Sequence, residues 1–286
     1  MDQELRLFKY FPPDRIDVLN SGKICFSSPL NLNDPFELKP PIQLFETEGE
    51  LADALLTRLE IELEANPPEI PPQHEGRFTQ EQYLELMKKA IQRNLPDFMA
   101  RLAPGIQEGY SRFYSVAEER MGILCLTESP DDLLMWAHYA AAHTGFVIEF
   151  DPKHAFFNQR RSAHDEIRHL RRVVYSPERP MLTLSTAKDL SALLTKSSHW
   201  EYEKEWRMMV DLDDASEVKK IGESRYHLFD FPRASIKSVI LGCRTAEAIK
   251  LEIRQIMSGF EDGQPSLLQC EVDNRLFKLN LSQIQM

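Results

Sequence analysis

The chain has 286 residues, 42% of them hydrophobic and 28% charged, with a formal net charge of −11. That hydrophobic content supports a sizeable core and excludes wholesale disorder, and the length suits one large domain or a domain carrying an insertion. The acidic balance argues against a protein that coats nucleic acid, although a local basic patch is compatible with it.

No run approaches the ~20 apolar residues that span a bilayer. The start, Met1 to Arg6, lacks a basic n-region and an apolar h-region, so the sequence predicts no signal peptide, no membrane partner and a cytoplasmic location. Cys25, Cys125, Cys243 and Cys270 are far apart with no Cys-x-x-Cys pair, and read as free thiols, not disulfides or metal ligands.

In chain order, Leu5 to Phe11 reads as a strand, and Pro12-Pro13-Asp14 opens a helix that Gly22 ends. Lys23 to Ser28 alternates as a second strand and runs into the Asn/Asp/Pro loop Pro29 to Glu37. From Glu46 to Glu119 the pattern turns helical. Leu51, Leu55 and Leu59 recur at helical spacing, and Thr79-Gln80-Glu81-Gln82 has capping-box form. Leu84, Met87 and Ile91 follow on one face, and Ile106, Tyr110, Phe113 and Ala117 suggest one more helix. This predicts a helical insertion over 46–119 inside a core domain of 1–45 and 120–286.

Strands return at Gly122 to Thr127 and Phe146 to Asp151. Between them Ser129-Pro130-Asp131-Asp132 reads as a helix start with a Ser cap, and Gly145 as its stop. Gln159 to Arg172 is basic and helix-compatible, and Lys188 to Ser197 looks helical. Further strands are expected at Tyr226–Phe231 and Ser238–Cys243, then a helix from Thr245 to Met257 and a hairpin-like pair near Leu267–Val272 and Arg275–Leu281. The irregular order favours an α+β class over a doubly wound sheet.

The most informative stretch is Trp200 to Val210, which reads as a strand of period two. Trp206, Met208 and Val210 take one face and Glu203, Glu205, Arg207 and Met209 the other. Two carboxylates and a guanidinium in a row are costly on a half-buried strand unless something polar covers them; a solvated sheet rim is the plain alternative. In the helix of Trp136, the residues Trp136, Tyr139, Ala140 and His143 share a face, with His138 roughly opposite. These rings are either core aromatics or a wall for a planar ligand. Asn33-Asp34-Pro35 is either an Asx-turn or a ligand-presenting loop. Arg160, Arg161, Arg168, Arg171 and Arg172 form a basic run that could meet phosphates, although Asp165 and Glu166 interrupt it. Asp34, Glu37, Glu203 and Glu205 could serve a metal-dependent nuclease, but Arg207 beside them would repel a cation, so no metal is expected.

Several of these segments resemble a bacterial family known only as a domain of unknown function, DUF2971. They are Leu7 to Tyr10, Leu19 to Pro29, Asn33 to Glu37, Leu133 to Ala140 with His143 to Phe146, and Tyr202 to Arg207. More distantly, the opening strand–helix–Gly–strand unit and Glu203-Lys204-Glu205 resemble ADP-ribosyltransferase-like folds. That resemblance implies a mixed or antiparallel split β-sheet core and an enzyme using NAD as substrate, with a role in stress or phage defence and an unknown acceptor. In it Glu205 would stabilise an oxocarbenium-like state, Glu203 would orient the acceptor or act as base, and Tyr139 would complete the catalytic set. Lys9, Tyr10, Ser27, Ser28, Asn33, Asp34, Trp136, His138, His143 and Arg207 would form the NAD-binding surface. The chain departs from that superfamily at the first strand, where Lys9 and Tyr10 stand in place of Arg or His. The alternative is a non-catalytic nucleotide- or nucleic-acid-binding module on the same fold.

Overall fold

The computed structural model describes residues 4–41, 48–181, 190–260 and 265–285. In chain order its elements are β1 (Leu7–Phe11), α1 (Asp17–Ser21), β2 (Lys23–Phe26), α2 (Glu48–Ala65), α3 (Gln80–Arg120), β3 (Met121–Thr127), α4 (Leu133–Tyr139) and β4 (Phe146–Phe150). There follow β5 (Leu170–Arg172), β6 (Val174–Ser176), β7 (Thr195–Ser197), β8 (Glu205–Asp211), β9 (Glu217–Ile221), β10 (Ser224–Asp230), β11 (Ile236–Leu241), α5 (Glu247–Ser258), β12 (Ser266–Val272) and β13 (Leu279–Gln283). The class is α+β with a mixed sheet.

The chain divides into two compact units, Met1–Lys39 with Val116–Arg179 and Ser191–Met286, and Pro40–Ser115 with Pro180–Leu190. In the second, Thr79 and Gln82 exchange the two bonds of a capping box at the start of α3, 3.2 and 3.0 Å long. The separate helices read from the spacing are one continuous α3, which runs through Pro96 and Pro104. Each proline removes one backbone bond from the ladder without ending it.

The first unit is built on an eight-stranded sheet ordered β13-β12-β11-β4-β1-β3-β8-β5. Every pairing is antiparallel except β11 with β12, where α5 supplies the crossover that a parallel pair requires. β4 lies inside the sheet with all five residues buried, which is why Phe146 to Phe150 is almost uniformly apolar. One sheet face packs Leu7, Phe11, Ile148, Met208 and Val239 against Val18 and Leu19 of α1 and Ile253 and Met257 of α5. The other packs Phe8, Tyr10, Val147 and Ile240 under Met135, Trp136 and Ala140. A smaller sheet, β2-β10-β9, and the pair β6-β7 flank it.

One seam differs from the rest. β1 pairs with β4 over five positions and β3 with β8 over seven, yet β1 meets β3 only at Phe8 and Thr127. Beyond that pair the two strands part.

Several expectations are corrected. The helix after Ser129 is capped by Asp132, whose side chain accepts the N–H groups of Leu134 and Met135 at 2.9 and 3.0 Å. Gln159 to Arg172 forms no helix before β5, because Asp165 takes the backbone N–H groups of Arg161 and Ile167 for itself. Of the helix expected over Lys188 to Ser197, positions 188–189 lie outside the described residues. The remainder is a 3-10 turn at Leu190–Leu194 followed by β7. β9 is a strand that the charged sequence Glu-Val-Lys-Lys-Ile did not advertise.

Candidate functional site

The strand expected from Trp200 to Val210 forms only from Glu205 onward. Ser198–Glu203 is a 3-10 turn, and Lys204 joins the two in a left-handed conformation with φ 44°. The kink keeps Glu203 and Glu205 together by a different route from strand alternation. Thr127 pins the turn by donating its hydroxyl to the Glu203 carbonyl at 2.5 Å, and the Glu128 N–H bonds to the Lys204 carbonyl at 3.2 Å.

Both carboxylates converge on Lys196 of β7. Its ammonium lies 2.6 Å from Glu203, 3.0 Å from Glu205 and 3.4 Å from Glu37. Arg207 grips Glu205 through two nitrogens, at 2.7 and 2.9 Å, and also bonds Glu37. Every one of these side chains is at most 4% exposed. Three carboxylates share these two cations, and the buried Asp34 also acts on Arg207, so the acids outnumber the bases. Burial opposes charge on Lys196, but Glu205 and Glu203 outweigh it and raise its pKa, so the ammonium persists. Burial raises the Glu205 carboxyl against the pull of Lys196. The Lys196 ammonium also fills the position among the carboxylates that a metal cation would need.

Above the network lies a cavity of about 430 Å³ that opens where β1 and β3 part. Lys9, Tyr10, Ser27, Asn33, His138 and Tyr139 line it together with Lys196, Glu203 and Glu205. Lys9 reaches across the seam to the Cys125 carbonyl at 3.1 Å. The Tyr139 hydroxyl donates to Glu203 at 2.6 Å and accepts from the Asn33 amide at 3.2 Å. Burial, then the Glu203 charge, raises the Tyr139 pKa, so this phenol stays a donor. Burial, then Glu205, likewise raises the Cys125 thiol, which leaves it a poor nucleophile.

The two glutamates differ in what holds them. Both oxygens of Glu205 are taken up by Arg207 and Lys196. Glu203 accepts one bond at each oxygen, from Tyr139 and from Lys196, one fewer in all than Glu205, and both carboxylates line the cavity.

Other expected residues are placed elsewhere. Trp136 is 0% exposed, donates its indole N–H to the Pro130 carbonyl at 2.9 Å and packs edge-on to Tyr10. It is a core aromatic and offers no wall to a ligand. His143 stacks on the far side of Trp136 and lines a separate cavity with Cys243 and Arg244. Ser28 spends its hydroxyl on the Glu118 carbonyl and on capping Leu30, and Asp34 accepts the Phe36 N–H. Arg207 lies beneath the cavity, acting through Glu205. Four of the five arginines of the basic run meet acids: Arg161 and Arg168 share Asp214, Arg171 meets Glu166 and Arg172 meets Glu128, while Arg160 is exposed. Lys196 was not singled out from the sequence. It sits seven residues before Glu203, but on a three-residue strand that gives way to a 3-10 turn, so no single period runs through both residues.

Residues 135–208 match the model for a family described as "Protein of unknown function (DUF2971)". The DUF2971 match runs from α4 to the middle of β8, and so takes in His138, Tyr139, Lys196, Glu203, Glu205 and Arg207. Lys9 and Asn33, which complete the cavity wall, lie outside it. No curated protein and no solved structure matches the chain. Among the described residues, no helix is long and apolar enough to cross a membrane.

Proposed function

We propose that the chain is an ADP-ribosyltransferase-like enzyme that breaks the nicotinamide–ribose bond of NAD, with Glu203 as the reacting carboxylate. The observation that carries this reading is the unequal holding of the paired glutamates at the base of the cavity. Glu205 accepts three bonds from Arg207 and Lys196, whereas Glu203, which lines the same cavity, accepts only two and is untouched by Arg207. In the reaction the C1′–N bond breaks, the electron pair leaves with nicotinamide, and positive charge develops on the ribose. A fixed carboxylate beside that carbon stabilises the charge without reorganising. A nucleophile of the acceptor, or water, then bonds to C1′ and gives up a proton, for which Glu203 is the available base.

This reverses the roles expected for the two glutamates, with Glu205 now a positioning residue. Lys9 is the cavity cation suited to a pyrophosphate, meeting it as a point charge without the planar fork of an arginine. For the nucleic-acid-binding alternative the basic run is the feature to test, and four of its five arginines are paired with acids.

The test is single-turnover kinetics with labelled NAD. Glu203→Gln, which keeps the shape and the Tyr139 partner, is expected to lower the rate by about 10²–10³-fold with little change in binding. A wild-type chain that neither binds nor cleaves NAD, or a Glu203→Gln chain as fast as wild type, would overturn the assignment.

A further inference from the structure

The strand edges of this chain are not treated alike. β5 closes one end of the large sheet with three residues, Leu170-Arg171-Arg172, two of them cationic. β9 closes the small sheet with Glu217, Lys219 and Lys220. Short length and charge are the usual devices that stop an edge from pairing with another chain. β13, at the other end of the large sheet, has neither. Its sequence Leu-Asn-Leu-Ser-Gln carries no charge, no proline and no bulge in its register with β12.

The direction of its free groups follows from the ladder. Ile284 donates to Leu267, and Asp273 donates to Lys278. Bonds alternate along an antiparallel pair, so 278, 280, 282 and 284 turn toward β12. The N–H and C=O groups of Leu279, Leu281 and Gln283 therefore point away from the sheet, and among the described residues no strand pairs with them. From Asn274 to Gln285 the chain has no acidic residue, although its net charge is −11. Repulsion between the acidic copies is reduced there. The adjoining hairpin exposes apolar surface: Val272 is 67%, Leu276 61% and Phe277 100% exposed.

We propose that β13 pairs with β13 of a second copy, antiparallel about a two-fold axis through Leu281. In that register Leu281 faces Leu281 of the other copy, and Leu279 faces Gln283 in both directions. All three outward residues then exchange bonds, as a self-complementary interface requires. The half-buried Leu281, which packs against the Trp136 core cluster, is covered by its equivalent.

Sedimentation or light scattering of the full chain tests this. The expected mass is twice the 33.2 kDa of one chain. Leu281→Lys places like charges across the axis and Gln283→Lys sets a charge against the buried Leu279 of the other copy; each is expected to return the 33.2 kDa species, with the circular dichroism spectrum kept. Gln283 is exposed, so its variant tests the edge even if Leu281→Lys fails to fold. A monomeric wild type at the highest soluble concentration would overturn the proposal, as would a dimer that survives Gln283→Lys.

Discussion

Lys196 is the residue on which the site depends most. It neutralises parts of three buried carboxylates and orients the one facing the cavity. Removing one partner of a buried ion network leaves uncompensated charge, which costs about 3–5 kcal/mol. Lys196→Met is therefore expected to lower the unfolding free energy by that amount in urea titrations, apart from any effect on catalysis. Glu203→Gln removes a charge from a network in which acids outnumber bases and leaves Lys196 paired with Glu37 and Glu205, so it should cost much less stability. That contrast distinguishes a structural cation from a reacting carboxylate. Residue type alone could not draw it. The sequence marked Glu203, Glu205 and Arg207 as polar groups needing cover, but the cover comes from Lys196 and Glu37, whose approach depends on tertiary folding. Trp136 shows the opposite failure: an aromatic on a helix face can serve a core or a ligand equally well, and only packing against Tyr10 and Ala140 decides.

Elements were more legible than contacts. Apolar alternation located β1, β2, β3, β4, β11 and β12 within a few residues, and Gly22, at φ 66°, marked the end of α1. The approach to β8 was misread because Glu203-Lys204-Glu205 alternates in type as a strand does, while Lys204 breaks the backbone with a positive φ. A lysine in this region carries a Cβ penalty that glycine avoids. Lys204→Gly is expected to raise stability by up to about 1 kcal/mol, reduced by the greater freedom of glycine in the unfolded chain. Thermal unfolding would read it, and the spacing of the two glutamates should be unchanged. A second element-scale feature was invisible in the sequence: Ala141, Ala142 and His143 all have positive φ between α4 and Gly145. This left-handed run turns His143 back onto Trp136, where it lines the separate cavity.

At the scale of the whole molecule, the sheet is held across its strands by few buried charges outside the site. Glu149 of β4 is one, joining Arg6 just before β1 at 2.7 Å and Ser238 of β11 at 2.5 Å. Burial works against its charge, but these bonds prevail and hold its pKa below the ordinary value. A carboxylate depressed on folding contributes stability that is complete above its unfolded pKa of about 4.3 and lost as pH falls through the folded value. Wild type should therefore lose stability faster than Glu149→Gln below about pH 4.3, with the two curves parallel near neutrality; urea midpoints across that range would show it. The β1–β3 seam sets a different kind of limit. Five strands lie on one side of the Phe8–Thr127 pair and three on the other, so backbone bonding hardly couples the two groups. The cavity lies at that join, and Lys9 is a tie across it. A molecule lodged there would touch both groups and supply the cross-links that the ladder lacks. The two groups already share one apolar core, and occupancy of the site is expected to add to that coupling, raising the unfolding midpoint of the filled chain.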